Sequence, residues 1–191
     1  GLGERFSLMA EGQWEMPNGL VSIDEGLSAL ILKNAPLVQN DPKAHIFEHS
    51  LEVQLPFIAH MSKDVKIVPI TVMSNALEEI KSIGEGIAKA IKDAGYPVVI
   101  VASSDMSHYV SDDVARRKDR MAIERVLALD PDGLYSVIKK EDISMCGYIP
   151  AVIMLSAVKA LGAKEAKLIK YATSAEVSGD YDYVVGYAGL I

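Results

Sequence analysis

Cysteine is almost absent from this sequence, since Cys146 is the only one in 191 residues. A single cysteine excludes an internal disulfide framework and a zinc site built from cysteines alone. A chain without disulfides is typical of a reducing compartment, so we expect a cytoplasmic protein. Aromatic residues are also few, at 6% of the chain with one tryptophan.

Basic residues are outnumbered, with 19 Lys and Arg against 26 Asp and Glu and a net charge of −7. This balance argues against a nucleic-acid partner and gives no reason to expect binding to an anionic membrane. No apolar run approaches the roughly 20 residues that cross a bilayer, and the start of the chain lacks the apolar segment of a signal peptide. We therefore expect a small or neutral partner, and the composition leaves the oligomeric state open.

Strand patterns alternate with helix patterns along the chain, which predicts an α/β sandwich. The length suits one domain, and we expect a single domain over residues 1–191. We expect strands at residues 5–10, 65–73, 98–102, 167–173 and 183–191, and helices at 24–33, 77–94, 112–129 and 150–161, with a further short helix that Asp130 caps.

Two apolar runs and two prolines refine this prediction. Residues 98–102, VVIVA, form the clearest candidate for a buried strand, and residues 65–73, VKIVPITVM, form another. Pro69 inside the second run indicates an edge or a bulge. Pro56 interrupts a helical stripe that includes Leu51 and Leu55, which predicts a kink or a short helix.

Polar residues follow the expected strand at residues 98–102, in the segment SSDMSHY. In α/β folds, sites form where loops leave the carboxyl ends of strands. His108 in this loop has the side chain best suited to general acid–base work near neutral pH. The alternative is that a serine or the aspartate of this segment caps the next helix and His108 faces solvent.

Three further histidines precede this loop. Glu48 and His49 lie directly before the stripe that contains Pro56, where they are either residues of a solvated loop or site residues. His45 lies four residues before His49, a spacing that means little in a loop. His60 lies at a helix end, where an interaction with terminal carbonyl groups is its expected role.

Glu176 follows the expected strand at residues 167–173 and is either a solvated charge or a metal ligand. As a ligand it would supply the carboxylate that a non-haem iron site combines with two histidines. Asp180 and Asp182 are alternatives. Cys146 precedes a helix, where a thiol is either reactive because of a lowered pKa or simply small and buried.

Several segments together resemble the Memo family, whose fold is similar to that of the class III extradiol dioxygenases. The matching segments are EHSLEVQLPF at 48–57, VPITVM at 68–73, VVIVASSDMSHY at 98–109, MCGYIPAVIML at 145–155 and YATSAEVSGDYDYVVGYAG at 171–189. The resemblance implies a three-layer α/β/α domain with a central mixed sheet. In the related dioxygenases, two histidines and a glutamate bind Fe(II), and a further histidine transfers protons to and from a catechol-type substrate.

By this resemblance His108 is the acid–base residue, His49 lines the same pocket and Glu176 is a metal ligand. We expect the substrate pocket to include Glu48, Ser104, Asp105 and Cys146. The two histidine ligands of the family come from segments upstream of the first glycine, so we expect an N-terminal segment of the family to be lacking. Fe(II) is then expected in a complete chain, with no tight binding by these 191 residues alone.

Two functions from different classes follow from the resemblance. The first is metal-dependent redox chemistry on a small aromatic or phenolic substrate, which the carboxylate of Glu176 favours. The second is a non-catalytic module that binds a peptide or protein, with a radical-SAM protein as one candidate partner; an exposed aromatic patch would favour it. A third interpretation treats both histidine segments as capping and loop residues only.

Overall fold

The protein is described by a computed structural model that covers residues 2–17, 19–62 and 64–191. The chain divides into two compact units, which we call unit 1 (Gly1–Ser103) and unit 2 (Ser104–Ile191). Helices and mixed sheets are both present, so the predicted α/β class is confirmed. Among the described residues, the strands form three sheets of three strands each. Of the helices in these residues, none combines the length and the apolar composition that a bilayer span requires.

Unit 1 contains six strands and three α-helices among its described residues. They are β1 (Phe6–Leu8), β2 (Gln13–Met16), β3 (Gly19–Ile23), α1 (Glu25–Asn34), β4 (Gln39–Asn40), α2 (Leu55–Met61), β5 (Lys66–Ile67), β6 (Ile70–Val72) and α3 (Leu77–Ala94). Short 3-10 turns cover Pro42–His45 and Glu52–Gln54.

Both sheets of unit 1 are mixed. In the first, β1 pairs in parallel with β4 and antiparallel with β6. In the second, β3 pairs antiparallel with β2 and in parallel with β5. The predicted strand at residues 65–73 is therefore two strands that belong to different sheets. Pro69 lies between them and has no N–H to donate, so a ladder cannot continue through it.

Local signals predicted the helices of unit 1 well. Asp24 caps α1, because its carboxylate accepts a hydrogen bond of 2.9 Å from the N–H of Leu27. Helix α3 ends at Gly95, whose φ of +73° is the left-handed conformation that glycine adopts at little cost. Pro56 lies in the first turn of α2, which has seven residues, so the predicted short helix is confirmed. Leu55 of this helix packs on Met16 and Val21 of the second sheet.

The prediction of a buried strand at residues 98–102 is wrong. No strand is assigned to this segment, and Val99 and Val101 are 85% and 54% exposed. An apolar run indicates that a segment favours burial. A strand also requires a neighbouring strand whose backbone completes the hydrogen-bond ladder. Within the described residues of unit 1, no neighbouring strand pairs with this segment.

Unit 2 contains three strands and four α-helices among its described residues. They are β7 (His108–Val110), α4 (Asp112–Leu127), α5 (Pro131–Lys140), α6 (Tyr148–Leu161), β8 (Leu168–Thr173), α7 (Ala175–Ser178) and β9 (Val184–Leu190). Strand β9 lies between β7 and β8 and is antiparallel to both.

The helix boundaries in unit 2 also follow local chemistry. Asp130 caps α5 by accepting a hydrogen bond of 2.9 Å from Gly133 N–H, with Pro131 in the first turn. Helix α6 ends at Gly162, which has a φ of +94°. These features confirm the predicted cap and the predicted stop.

Candidate functional site

His108 lies at a β-bulge, where one strand carries an extra residue. His108 pairs with Val185 and Val110 pairs with Val184, so Tyr109 has no partner in the ladder. Tyr109 has a φ of +56°, a conformation that is uncommon for a bulky residue. Bulges of this kind are frequent beside active sites because they redirect a side chain. His108 therefore lies in strand β7 at this bulge, and its side chain is 21% exposed.

The imidazole of His108 is held in one orientation. Its Nδ1 lies 2.7 Å from the carbonyl oxygen of Ser144. Because a carbonyl oxygen only accepts, Nδ1 carries the hydrogen, and the lone pair of the neutral ring is on Nε2. That nitrogen lies 3.5 Å from a carboxylate oxygen of Asp105. The arrangement leaves Nε2 able to accept a proton, with a carboxylate near enough to stabilise the resulting cation.

Two loops of unit 2 are joined by hydrogen bonds around this ring. The Ser144 hydroxyl accepts a bond of 2.8 Å from His108 N–H, and the Ser104 hydroxyl accepts one of 2.8 Å from Gly147 N–H. The Cys146 sulfur receives the N–H of Asp105 at 3.3 Å. Ser104, Asp105, His108 and Cys146 were predicted as site residues, and the structure brings these four together.

The buried carboxylate of Asp119 forms a hydrogen bond to the loop that precedes His108. Asp119 of α4 is fully buried; its two oxygens accept hydrogen bonds from Ser107 N–H at 2.9 Å and from the Tyr171 hydroxyl at 2.7 Å. Burial and this hydrogen bond raise the pKa of Tyr171 above its usual value. Gly186 leaves room for the carboxylate, because a Cβ there would lie 2.0 Å from its oxygen.

Sequence reasoning missed Asp119, although a signal was present. Ala115, Asp119, Ala122 and Val126 are spaced by three or four residues and are all buried on one face of α4. A carboxylate inside such a stripe needs hydrogen-bond donors. That need could have identified Asp119 as a structural residue, but its partners Ser107 and Tyr171 could not be inferred from spacing alone.

Glu176, the predicted metal ligand, lies in the four-residue helix α7 and is 46% exposed at its side chain. Its carboxylate oxygen is 3.6 Å from the guanidinium of Arg116. Arg116 also donates a hydrogen bond of 2.6 Å to Asp112, and this bond, with one from Thr173, lowers the pKa of Asp112. Glu176 is thus part of an ion-pair network that joins α7 to α4.

His49 and Glu48 lie in unit 1, beside an open groove of about 610 Å³. The groove is lined by Leu2, Lys43, Ala44, Phe47, Glu48, His49, Thr71 and Met73. The Glu48 carboxylate also accepts hydrogen bonds from the N–H groups of Ser50 and Leu51 and from the Ser50 hydroxyl. Glu48 therefore organises the turn that precedes α2, and His49 next to it borders the groove.

The remaining two histidines have no feature that marks a site. His45 is buried against Trp14, with ring centroids 5.9 Å apart. Among the described residues, neither of its ring nitrogens has a hydrogen-bond partner. Burial lowers the pKa of His45, so the neutral ring is favoured. His60 is exposed at the end of α2.

Comparison with known proteins identifies similar chains. The family model described as Memo-like protein matches residues 1–191. The MEMO1 family protein MTH_45 of Methanothermobacter thermautotrophicus is 40% identical over 190 residues, which cover 100% of this chain and 69% of that protein. A MEMO1 family protein of Desulfurococcus amylolyticus is 44% identical over 191 residues, covering 100% of this chain and 67% of that protein.

Proposed function

Because this chain belongs to the Memo-like protein family, we propose that it acts on a small aromatic or phenolic molecule whose hydroxyl exchanges a proton with His108. In this proposal His108 is the general base and acid. Ser104, Asp105 and Cys146 border the position of the substrate. An exposed thiol at Cys146 fits a reducing compartment such as the cytoplasm.

The observation that supports this proposal is the bulge at Tyr109 beside an oriented imidazole. Residues in rarely populated backbone conformations persist where the surrounding structure enforces them, and they concentrate at functional sites. Here the strained residue adjoins the histidine whose Nδ1 is fixed by Ser144 at 2.7 Å. Nε2 then accepts the phenolic proton, and Asp105 stabilises the imidazolium that forms.

The iron that the family resemblance implies does not fit the described residues. An extradiol-type site combines Glu176 with two histidines, yet Glu176 contacts Arg116. The only group of three potential ligands among the described residues is Asp105, His108 and Cys146. The proton transfer proposed for His108 therefore does not involve iron. Metal-dependent redox chemistry and a Glu176 ligand stay proposals that rest on the resemblance.

Replacing His108 by glutamine tests the acid–base role. Nitrocatechol is a suitable probe, since its visible absorption moves to longer wavelength when the hydroxyl loses its proton. With EDTA present and at a pH where the free probe is protonated, we expect the wild-type protein to bind it as the anion. His108→Gln should lower the bound anion fraction at least tenfold, because an amide cannot accept the proton at Nε2.

The matched control is His60→Gln, which removes an exposed histidine of unit 1 and should leave the spectral shift intact. A shift that survives in His108→Gln would reject His108 as the base. Failure of the wild-type protein to bind the probe would reject a small phenolic substrate and favour the second candidate function.

The second candidate is a binding module for a peptide or protein, with a radical-SAM protein as one such partner. The groove of unit 1 favours it, because Phe47 is 80% exposed and lies beside the apolar side chains of Leu2 and Met73. An apolar groove beside exposed aromatic surface is a common feature of peptide-binding sites. Lys43 at its border would pair with an acidic residue of the bound segment.

Phe47→Ser tests the binding module. We expect this variant to bind an acidic peptide with a central leucine or phenylalanine at least tenfold more weakly, because the apolar contact is lost. Phe57→Ser is the control, since Phe57 is 73% exposed but does not line the groove. Fluorescence anisotropy of a labelled peptide measures both. Equal affinity of the Phe47 variant and the control would contradict a peptide-binding groove.

A further inference from the structure

Tyr109 is strained in a place where the backbone does not require it. Among the described residues, the non-glycine residues with positive φ are Tyr109, Leu129 and Asp142. Leu129 and Asp142 directly follow the C-cap residues of α4 and α5, where a left-handed residue commonly ends a helix. Tyr109 is the middle residue of β7 instead. Its conformation therefore has a different origin from the other two.

Core packing does not explain a tyrosine at this position either. The residue is 75% exposed, so its ring contributes little to the core. Glycine adopts the left-handed conformation at almost no cost, and asparagine tolerates it better than a bulky side chain does. A tyrosine here costs stability, and what it adds in return is an exposed aromatic face.

The bulge brings that aromatic face to the imidazole of His108. In a regular strand, neighbouring side chains point to opposite faces of the sheet. At this bulge the rings of His108 and Tyr109 instead lie with their centroids 5.9 Å apart and their planes inclined by 52°. The strained residue therefore places its ring beside the proposed acid–base residue.

A phenol bound to His108 comes within reach of this ring. A hydroxyl that hydrogen-bonds to Nε2 places the centre of its own ring within about 6 Å of that nitrogen. Because Tyr109 is exposed, its side chain can rotate onto the face of the bound ring. Aromatic pairs interact favourably at centroid separations of roughly 4.5–7 Å, which matches the scale of this arrangement.

We infer that Tyr109 is a specificity-determining residue, whose ring packs on the face of an aromatic substrate while the substrate hydroxyl contacts His108. This inference rests on the proposed function and deepens it, because it assigns the selection of a planar aromatic ring to one residue. His108 controls the protonation state of the bound molecule, whereas Tyr109 controls its affinity. The two roles are therefore separable by experiment.

Equilibrium dialysis of nitrocatechol in EDTA tests the role of Tyr109. Tyr109→Leu should bind the probe about 5–10-fold more weakly, because leucine keeps an apolar side chain but loses the aromatic face. Tyr109→Phe should restore the affinity to within about twofold of wild type, since the face is retained. The anion fraction of the bound probe should be unchanged in both variants, because His108 is intact.

Tyr109→Asn tests whether the strain is kept for binding. Asparagine tolerates the left-handed conformation, so this variant should unfold at a higher urea concentration than wild type. It should nevertheless bind nitrocatechol at least as weakly as Tyr109→Leu. Tyr181→Leu is the control for loss of an exposed tyrosine in the same unit, since Tyr181 is 58% exposed and lies outside β7. It should bind the probe with wild-type affinity.

Three results would overturn the inference. They are equal affinity of the Leu and Phe variants of Tyr109, an equal loss of affinity in Tyr181→Leu, and a Tyr109→Asn protein that is less stable than wild type. A spectral shift that survives in His108→Gln would instead reject the acid–base role, and the dependence of affinity on Tyr109 would still stand. Absence of binding by the wild-type protein would reject both.

Discussion

Asp119→Ala is expected to destabilise the protein by about 3 kcal/mol, because it leaves the buried Ser107 N–H and the half-buried Tyr171 hydroxyl without their acceptor. Asp119 is fully buried and accepts hydrogen bonds from Ser107 N–H and from the Tyr171 hydroxyl. A buried donor left unpaired costs roughly 1–3 kcal/mol, and a half-buried donor costs less. Urea unfolding followed by circular dichroism measures the change in free energy of unfolding.

Tyr171→Phe distinguishes the contributions of the two hydrogen bonds that Asp119 accepts. It removes only the hydroxyl, so we expect a smaller loss than in Asp119→Ala, and the double variant should lose little more than Asp119→Ala alone. Glu124→Ala is the control on the same helix, because Glu124 is exposed and its ion pair with Arg120, at 3.5 Å, contributes little. An Asp119→Ala protein as stable as this control would show that the buried carboxylate does not hold the His108 loop.

Gly86→Ala is expected to lower the free energy of unfolding by about 2 kcal/mol, because overpacking a close contact forces the helices apart. A Cβ at Gly86 of α3 would lie 2.5 Å from the carbonyl oxygen of Asn34 and 2.8 Å from the Cβ of Ala35. Both contacts are to groups fixed to the backbone, so no side-chain rotation can relieve them. The usual gain of about 1 kcal/mol from Gly to Ala inside a helix is too small to compensate.

Gly26→Ala in α1 is the matched control for Gly86→Ala. Gly26 is exposed, and a Cβ there would meet only the Asp24 carboxylate, at 3.5 Å, which is ordinary contact. We expect this variant to be more stable than wild type by roughly 0.5–1 kcal/mol, in line with helix propensity. Replacement of glycine by alanine should thus lower the free energy of unfolding at Gly86 and raise it at Gly26. A stabilising effect at Gly86 would mean that α1 and α3 are not in close contact.

The loop that contains His108 and the segment around Cys146 show which part of a site can be predicted from a sequence. The serine-rich loop after residues 98–102 and the lone Cys146 were separate candidates, because each has a recognisable local composition. Their meeting depends on hydrogen bonds between residues 36–43 positions apart, such as those of His108 with Ser144 and of Gly147 with Ser104. No spacing rule predicts contacts over that separation.

The sequence by itself determined the helices of this protein, because their signals are local. Caps such as Asp24 and Asp130 and stops such as Gly95 and Gly162 act within one turn of the residues they affect. The strands predicted at residues 167–173 and 183–191 are also present, as β8 and β9, but only the tertiary structure decided how the strands pair and what surrounds His108. A ladder needs a partner strand, which residues 98–102 lack within the described part of unit 1. The bulge at Tyr109 exists only because the register between β7 and β9 shifts by one residue.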